Sequence, residues 1–344
     1  MPIADWQLPI RRVGKKSAIG NWKSAMLAID NRKSKMAYIF PGQGSQHPGM
    51  GKDLAEKFPA ARQVFEEADD VLRFSLSELC FNGPAEQLQL TENTQPAILT
   101  VSIAALRAMQ SEGFPRPDFV AGHSLGEYSA LVAGGALTLR DAIKTVRARG
   151  RYMQEAVPVG AGAMAAILGA DLETVDAGCQ EASEGEICSA ANINSPSQVV
   201  IAGAAGAIDR AIVILKERGA KRAMKLNVSA PFHCALMKPA QDRLAADLGT
   251  IQFSDSEMPV VTKVDAGPVT MADRLRDSLV RQVSQPVRWL ESVEFLINQG
   301  VKTFIEIGPG KVLSGLVRQI DRSVQCVNVE DEASLRAARG AIAV

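Results

Sequence analysis

From Met36 onward, short apolar runs alternate with segments whose apolar residues recur at helical spacing, and this alternation limits the fold more than any other feature. The runs 37–40 and 119–121 read as strands, and each is followed by a glycine-containing turn and a helical segment. Strands separated in this way pair in parallel and are covered by the intervening helices. The sequence therefore predicts an α/β protein with a mostly parallel sheet.

Three details of this pattern concern single helices. Residues 52–72 place their apolar side chains on one face and predict one continuous helix. Proline is tolerated in the first turn of a helix, so Pro96 predicts a helix start just before it and an end near Met109. Thr138 and Asp141 have the spacing of a capping box and predict another helix start.

Residues 158–229 depart from the alternation. They read as strand, helix, strand, strand, helix, strand, with Asn194-Ser195-Pro196 as the turn between the two middle strands. This order is typical of a ferredoxin-like unit. We therefore expect a ferredoxin-like small domain at 158–229, inserted into a large domain formed by residues 36–157 and 230–344.

The first 35 residues differ from the rest in charge. They carry eight basic and two acidic residues, a balance of +6, whereas the whole chain is neutral. They also lack helical periodicity, so residues 1–35 are predicted to be a disordered basic appendage. A start codon assigned too early or a cloning remnant, an organelle transit peptide and a docking tail are the alternatives for its origin.

Composition excludes several functional classes. The formal net charge of zero gives no global field that would attract nucleic acid. No apolar run approaches the ~20 residues that span a bilayer. The five cysteines are widely spaced without a CxxC pair, which argues against a disulfide framework or a zinc site and favours a reducing, cytoplasmic location.

One segment carries a recognisable nucleophile pattern. Gly122-His123-Ser124-Leu125-Gly126 fits G-x-S-x-G, in which a serine stands on a sharp turn between a strand and a helix. The run 119–121 before it and the helical segment after it supply that context. The N–H groups that open the helix can donate to an oxyanion. Ser124 is the candidate nucleophile.

A serine nucleophile needs a base, and the chain has three histidines: His47, His123 and His233. His123 adjoins the serine and is expected to point elsewhere on the turn. His233 follows the point where the predicted small domain returns to the large one, and domain junctions line clefts. His233 is therefore the candidate base.

Two further features could contact an acyl group. The glycine-rich turn Pro41–Gln46 can direct N–H groups toward an anion. It matches neither a Walker loop nor GxGxxG. Arg147, Arg149 and Arg151 lie close together near a helix end, and their spacing alone does not single out one of them.

Taken together, these segments resemble the malonyl-CoA:acyl-carrier-protein transacylase family of fatty-acid synthesis, from about Met36 to about Val329. The matching segments are Phe40–Gln46 (FPGQGSQ), Gly122–Glu127 (GHSLGE), Arg149 with Met153–Pro158 (MQEAVP), Ala230–His233 (APFH) and Glu306–Gly310 (EIGPG). Residues 1–35 fall outside the resemblance. The resemblance implies an α/β-hydrolase-like large domain with a ferredoxin-like small domain.

The resemblance also implies a role for each matching residue. These are Ser124 as nucleophile, His233 as base, the main-chain N–H groups of Gln43 and Leu125 as the oxyanion hole, Arg149 as the ligand of the malonyl carboxylate, the main-chain carbonyl of Gln282 as the group that orients the histidine, and His123 and Phe232 near the acyl group.

The implied reaction transfers a malonyl group from malonyl-CoA to the phosphopantetheine thiol of acyl carrier protein. Coenzyme A thioester is a substrate, and no cofactor, metal, nucleic acid or membrane is expected to take part; the chain is expected to be a monomer. A stand-alone acyltransferase of a polyketide synthase is an alternative. A serine esterase is a weaker one, because its histidine would lie near the C-terminus, whereas 111 residues follow His233.

Overall fold

The structure is a computed structural model that describes residues 34–228 and 230–342. The predicted appendage lies outside the described residues except for its last two positions. The first strand begins at Lys35, two residues before the predicted run 37–40, and the N–H of Met36 donates to Asp118 Oδ2 at 2.8 Å. Residues from Lys35 onward form one compact unit.

The described residues form ten strands and fourteen α-helices. The strands are β1 (Lys35–Phe40), β2 (Phe119–Gly122), β3 (Gly162–Leu168), β4 (Cys188–Ser195), β5 (Gln198–Ala204), β6 (Arg222–Lys225), β7 (Val260–Val261), β8 (Pro268–Val269), β9 (Val301–Ile307) and β10 (Gln325–Val329). The helices are α1 (Lys52–Lys57), α2 (Pro59–Leu72), α3 (Leu76–Asn82), α4 (Ala85–Leu88), α5 (Thr91–Ser111), α6 (Gly126–Ala133), α7 (Leu139–Glu155), α8 (Leu172–Ser183), α9 (Ala205–Glu217), α10 (Lys238–Gly249), α11 (Ala272–Arg281), α12 (Trp289–Asn298), α13 (Val312–Ile320) and α14 (Glu332–Ile342).

The strands form two sheets. The larger has the order β10-β9-β1-β2-β7-β8 and is parallel except for β8. The smaller has the order β4-β5-β3-β6 and is antiparallel throughout. The predicted α/β class with a mostly parallel sheet is confirmed. The domain boundaries and the names of the two folds stay predictions.

Most predicted helices are present, with two corrections. The single helix predicted over 52–72 is two helices, because Phe58 is extended and Pro59 starts α2.

The helix start predicted just before Pro96 is wrong, because α5 begins at Thr91 and the N–H groups of Asn93 and Thr94 both donate to the Leu90 carbonyl at 2.8 Å. The capping box is confirmed: Thr138 Oγ1 accepts from the Asp141 N–H at 3.1 Å.

The small sheet lies between two layers of apolar packing. Helices α8 and α9 cover one face with a separate cluster that includes Ile201 and Leu215. Side chains from the same sheet, among them Met164 and Val200, join the main core that surrounds the large sheet. Val287 pairs with Asn192 of β4 as an isolated parallel bridge, so main-chain hydrogen bonds also join β4 to the segment before α12.

One buried carboxylate fastens a helix to the large sheet. Glu306 of β9 is fully buried, and its two oxygens accept from the N–H groups of Leu313 and Ser314, at 3.0 and 2.7 Å. These N–H groups lie in the first turn of α13, where no intrahelical acceptor exists. A carboxylate there also complements the positive end of the helix dipole.

We expect Glu306→Ala to destabilise the fold, because two buried N–H groups lose their acceptors. Each unsatisfied donor should lower the free energy of unfolding by about 1–3 kcal/mol. The measurement is urea unfolding, with a lower midpoint at an unchanged m-value. Glu306→Gln is the matched control, since it keeps one acceptor and should lose less. An alanine variant as stable as the glutamine variant would contradict this account.

Candidate active site

Ser124 stands on a strained turn between β2 and α6. Its φ is 51°, a left-handed conformation that non-glycine residues rarely adopt. The turn also requires close backbone contacts: a Cβ on Gly122 would lie 1.9 Å from Gly126 C, and one on Gly126 would lie 2.0 Å from Phe40 O. The two glycines of G-x-S-x-G are therefore required sterically, and the predicted elbow is present.

The predicted base is in contact with the predicted nucleophile. Ser124 Oγ lies 2.8 Å from His233 Nε2, and the other ring nitrogen, Nδ1, lies 2.7 Å from the main-chain carbonyl of Gln282. That carbonyl can only accept, so Nδ1 carries the proton and Nε2 is free to accept the serine proton. A neutral carbonyl occupies the position that an aspartate has in a Ser-His-Asp triad.

Of the three neighbouring arginines, Arg149 alone points into this site. Its guanidinium is buried; Nη1 donates to Gln95 Oε1 at 2.8 Å, and Nη2 donates to Gln282 Oε1 at 2.9 Å and to Ser124 Oγ at 3.0 Å. Arg147 instead lies over the Phe74 ring, at 4.5 Å from its centroid.

The third arginine is exposed to solvent. Arg151 lies 4.0 Å from Glu155 on the surface of α7. Residues two apart on a helix face nearly opposite directions, which explains why one arginine of the three is buried at the site.

Burial and the neighbouring cation keep the base neutral. Burial, followed by the positive charge of Arg149, lowers the pKa of His233 to about 3. Since this folded-state pKa lies below that of an unfolded histidine, the unfolded chain binds more protons between the two values. His233 therefore makes folding less favourable as the pH falls from about 6.5 toward 3, and has no such effect above that window.

The remaining predicted residues line one cavity with Ser124. Gln43, Leu125, His123 and Phe232 all border a space of about 640 Å³ that also reaches the small sheet. Its volume is in the range of small-molecule sites. The structure thus brings all the predicted site residues to one place.

Two residues at the site were not predicted from the sequence. Gln95 of α5 accepts a hydrogen bond from Arg149. Asn194 of β4 is hydrogen-bonded to His123, with Asn194 Oδ1 2.9 Å from His123 Nε2. Burial lowers the pKa of His123 to about 4, so this ring is neutral as well. Amide side chains occur throughout any sequence, and no spacing rule marks these two; only the fold brings them to the site.

The described residues contain no cluster of three or more histidine, cysteine, aspartate or glutamate side chains suited to a metal ion. Among their helices, none is long and apolar enough to cross a membrane. The site's chemistry is that of a neutral imidazole, a serine hydroxyl and a buried guanidinium, an arrangement suited to acyl transfer from a substrate that carries an anion.

Comparison with known proteins agrees with this chemistry. Residues 37–336 match the family model described as acyl transferase domain, which makes the chain an acyltransferase. The malonyl CoA-acyl carrier protein transacylase of Bacillus subtilis (strain 168) is 51% identical over 306 residues, covering 89% of this chain and 96% of that protein. The chain belongs to the malonyl CoA-acyl carrier protein transacylase family.

Other relatives and solved structures are similar to the chain. The transacylase of Escherichia coli (strain K12) is 48% identical over 305 residues, covering 89% of this chain and 99% of that protein. The crystal structure of an acyl carrier protein S-malonyltransferase from Vibrio cholerae has a TM-score of 0.87 and 50% identity, covering 89% of this chain and all of that one.

The malonyl-transacylase solved in complex with its type II polyketide-synthase acyl-carrier protein is also similar to this chain. It has the same TM-score of 0.87 and 50% identity, covering 89% of this chain and 99% of that one.

We expect the ring of His233 to stay neutral from pH 8 down to about pH 5, because burial and Arg149 both oppose protonation. The measurement is a titration of the ring nitrogens by NMR. In Arg149→Ala the nearby cation is gone, so the pKa of His233 should rise. An unchanged titration in that variant would show that the arginine charge does not reach the ring.

Proposed function

We propose that the chain transfers the malonyl group of malonyl-CoA to the phosphopantetheine thiol of acyl carrier protein through a malonyl-serine intermediate, and so supplies fatty-acid elongation. The observation that carries the proposal is the hydrogen bond of 3.0 Å from Arg149 Nη2 to Ser124 Oγ. It places a buried cation beside the nucleophile, where the carboxylate of a malonyl thioester bound for attack would need a partner.

In the first half-reaction, His233 Nε2 takes the proton of Ser124 as Oγ attacks the thioester carbon. The main-chain N–H groups of Gln43 and Leu125 hold the tetrahedral oxyanion, and each such donor is worth roughly 3 kcal/mol in the transition state. The C–S bond then breaks, and the leaving sulfur takes the proton from His233. Coenzyme A departs and malonyl-serine remains.

In the second half-reaction, the phosphopantetheine thiol gives its proton to His233 and attacks the ester carbon. The C–O bond to Ser124 breaks, and Oγ recovers the proton. The covalent intermediate gives ping-pong kinetics. One thioester is exchanged for another, so the mechanism uses only the chain's own residues and needs no cofactor.

We further propose the roles of the surrounding residues and the architecture. The Gln282 carbonyl orients His233, and His123 and Phe232 border the acyl group. The large part, residues 36–157 and 230–344, is α/β-hydrolase-like. The small part, 158–229, is ferredoxin-like, which its strand order of β4-β5-β3-β6 supports.

Two pathways are candidates for the source of the carrier protein. Fatty-acid synthesis fits the relatives named as acyl carrier protein transacylases, whereas the 50% identity to a malonyl-transacylase in complex with a type II polyketide-synthase carrier makes polyketide synthesis the second candidate. Transfer rates to purified carriers of the two kinds would separate them. A monomeric state, a cytoplasmic location and no part for a membrane stay predictions from the sequence.

We expect Ser124→Ala to abolish both the covalent adduct and the transfer, because alanine has no oxygen to acylate. His233→Ala should form the adduct more slowly, by the 10²- to 10⁴-fold typical of the loss of a general base. The measurement is intact mass after mixing with malonyl-CoA. A full adduct on the Ser124→Ala protein would show that another residue is the nucleophile.

We expect Arg149→Ala to lose transfer of malonyl, because the substrate carboxylate would be left without a paired charge. The loss of transition-state binding should be about 3–5 kcal/mol. Acetyl transfer should hold steady or rise, since acetyl has no carboxylate. The measurement is kcat/KM for both thioesters. Arg149→Lys is the control and should rescue in part, because an ammonium cannot make two parallel hydrogen bonds. An equal fall for both thioesters would make Arg149 a structural residue.

A further inference from the structure

The arginine beside the nucleophile has only uncharged partners. In the described part of the chain, every hydrogen bond of the Arg149 guanidinium goes to an amide or hydroxyl oxygen, from Gln95, Gln282 or Ser124. A buried cation without a carboxylate partner is costly to keep. Its charge is therefore left for an anion that enters the cavity.

The same buried region contains a carboxylate and an ammonium group that the proposed reaction does not use. Glu127 and Lys263 are both fully buried, and Glu127 Oε2 accepts from the main-chain N–H of Lys263 at 2.8 Å. The Nζ atom of Lys263 stands 4.7 Å from the centre of the Trp289 ring. Neither Nζ nor Glu127 Oε1 has a hydrogen-bond partner among the described residues.

Glu127 is the anion that acts on both buried cations. Its charge attracts Lys263, and it also attracts Arg149. The side-chain oxygen of Gln282 accepts from Arg149 at 2.9 Å, and its amide also acts on the carboxyl group of Glu127, so Gln282 lies near both. Glu127 could therefore neutralise Arg149 if nothing else compensated its charge.

The charges of this buried group sum to one positive charge before a substrate enters. Arg149 contributes that charge, whereas the negative charge of Glu127 and the positive charge of Lys263 offset each other. The other titratable groups facing the pair are neutral, because burial raises the pKa of Tyr128 and lowers the pKa of His123 to about 4. The base is neutral as well. A malonyl carboxylate would complete the balance.

We propose that Lys263 is a positioning residue that selects for acyl groups with a carboxylate: it cancels the charge of Glu127, which leaves the charge of Arg149 to the substrate. The proposal rests on the proposed function, in which Arg149 binds the malonyl carboxylate. Without Lys263, the carboxylate of Glu127 would compensate Arg149, and a malonyl carboxylate would enter a site with no net positive charge. An acetyl group would not be affected in this way.

The experiment measures kcat/KM for malonyl-CoA and acetyl-CoA between about pH 6 and about pH 9. In Lys263→Met, which keeps an unbranched apolar side chain, the malonyl-to-acetyl ratio should fall about tenfold or more at the alkaline end. The ratio should recover as the pH falls, because burial without the lysine charge raises the pKa of Glu127 and protonation removes its charge.

The double variant Glu127→Gln/Lys263→Met separates charge from structure. It has lost both charges, so Arg149 is again uncompensated, and the ratio should return to the wild-type value at every pH. A loss that is equal in the single and double variants and independent of pH would overturn the proposal, because that result indicates disturbed packing.

Glu127→Gln is the alternative test of the proposal if Lys263→Met does not fold. This variant removes the competing carboxylate, so its ratio should be at least that of the wild type, and a tenfold fall would overturn the proposal. The wild-type protein separates this inference from the proposed function. A wild type that prefers malonyl, with an unchanged ratio in Lys263→Met, refutes the role of Lys263 alone; a wild type without the preference refutes both.

Discussion

Gln282 makes the contacts on which the geometry of the site depends. Its main-chain carbonyl fixes the ring of His233, and its side-chain oxygen fixes the guanidinium of Arg149, at 2.7 and 2.9 Å. Both of those groups in turn contact Ser124 Oγ. Four residues from distant parts of the chain therefore share one set of hydrogen bonds, and a shift of the segment after α11 would displace the base and the arginine together.

The cavity depends on how the two sheets are connected. Val287 pairs with β4 of the small sheet, and the next residue, Arg288, donates its N–H to the Lys263 carbonyl at 3.1 Å. This main-chain ladder fixes the small sheet beside the nucleophile, and it brings Asn194 to His123. The cavity beside Ser124 thus lies between two sheets whose spacing is fixed by backbone hydrogen bonds as well as by apolar packing.

Residues with a local requirement could be predicted from the sequence. The turn at Ser124 needs glycines at fixed positions, and the alternation of strands and helices follows from periodicity. Both features are therefore visible in the linear sequence. Pairing across the fold has no such signal. Gln95 and Asn194 are ordinary amides in the sequence. The break at Pro59 comes from the extended residue that precedes a proline, and the early start of α5 comes from main-chain hydrogen bonds to Leu90; both override the apolar periodicity.

Arg149 also links recognition to reactivity. Its positive charge is the second cause, after burial, that lowers the pKa of His233. Under the proposed function, the malonyl carboxylate compensates that charge when it binds, and the lowering due to Arg149 weakens. The imidazole then becomes a stronger base at the moment when a substrate of the right charge lies beside the nucleophile. An acyl group without a carboxylate gives no such compensation. The ion pair between Arg149 and the malonyl carboxylate therefore both orients malonyl and favours the attack of Ser124 on malonyl over its attack on neutral acyl groups.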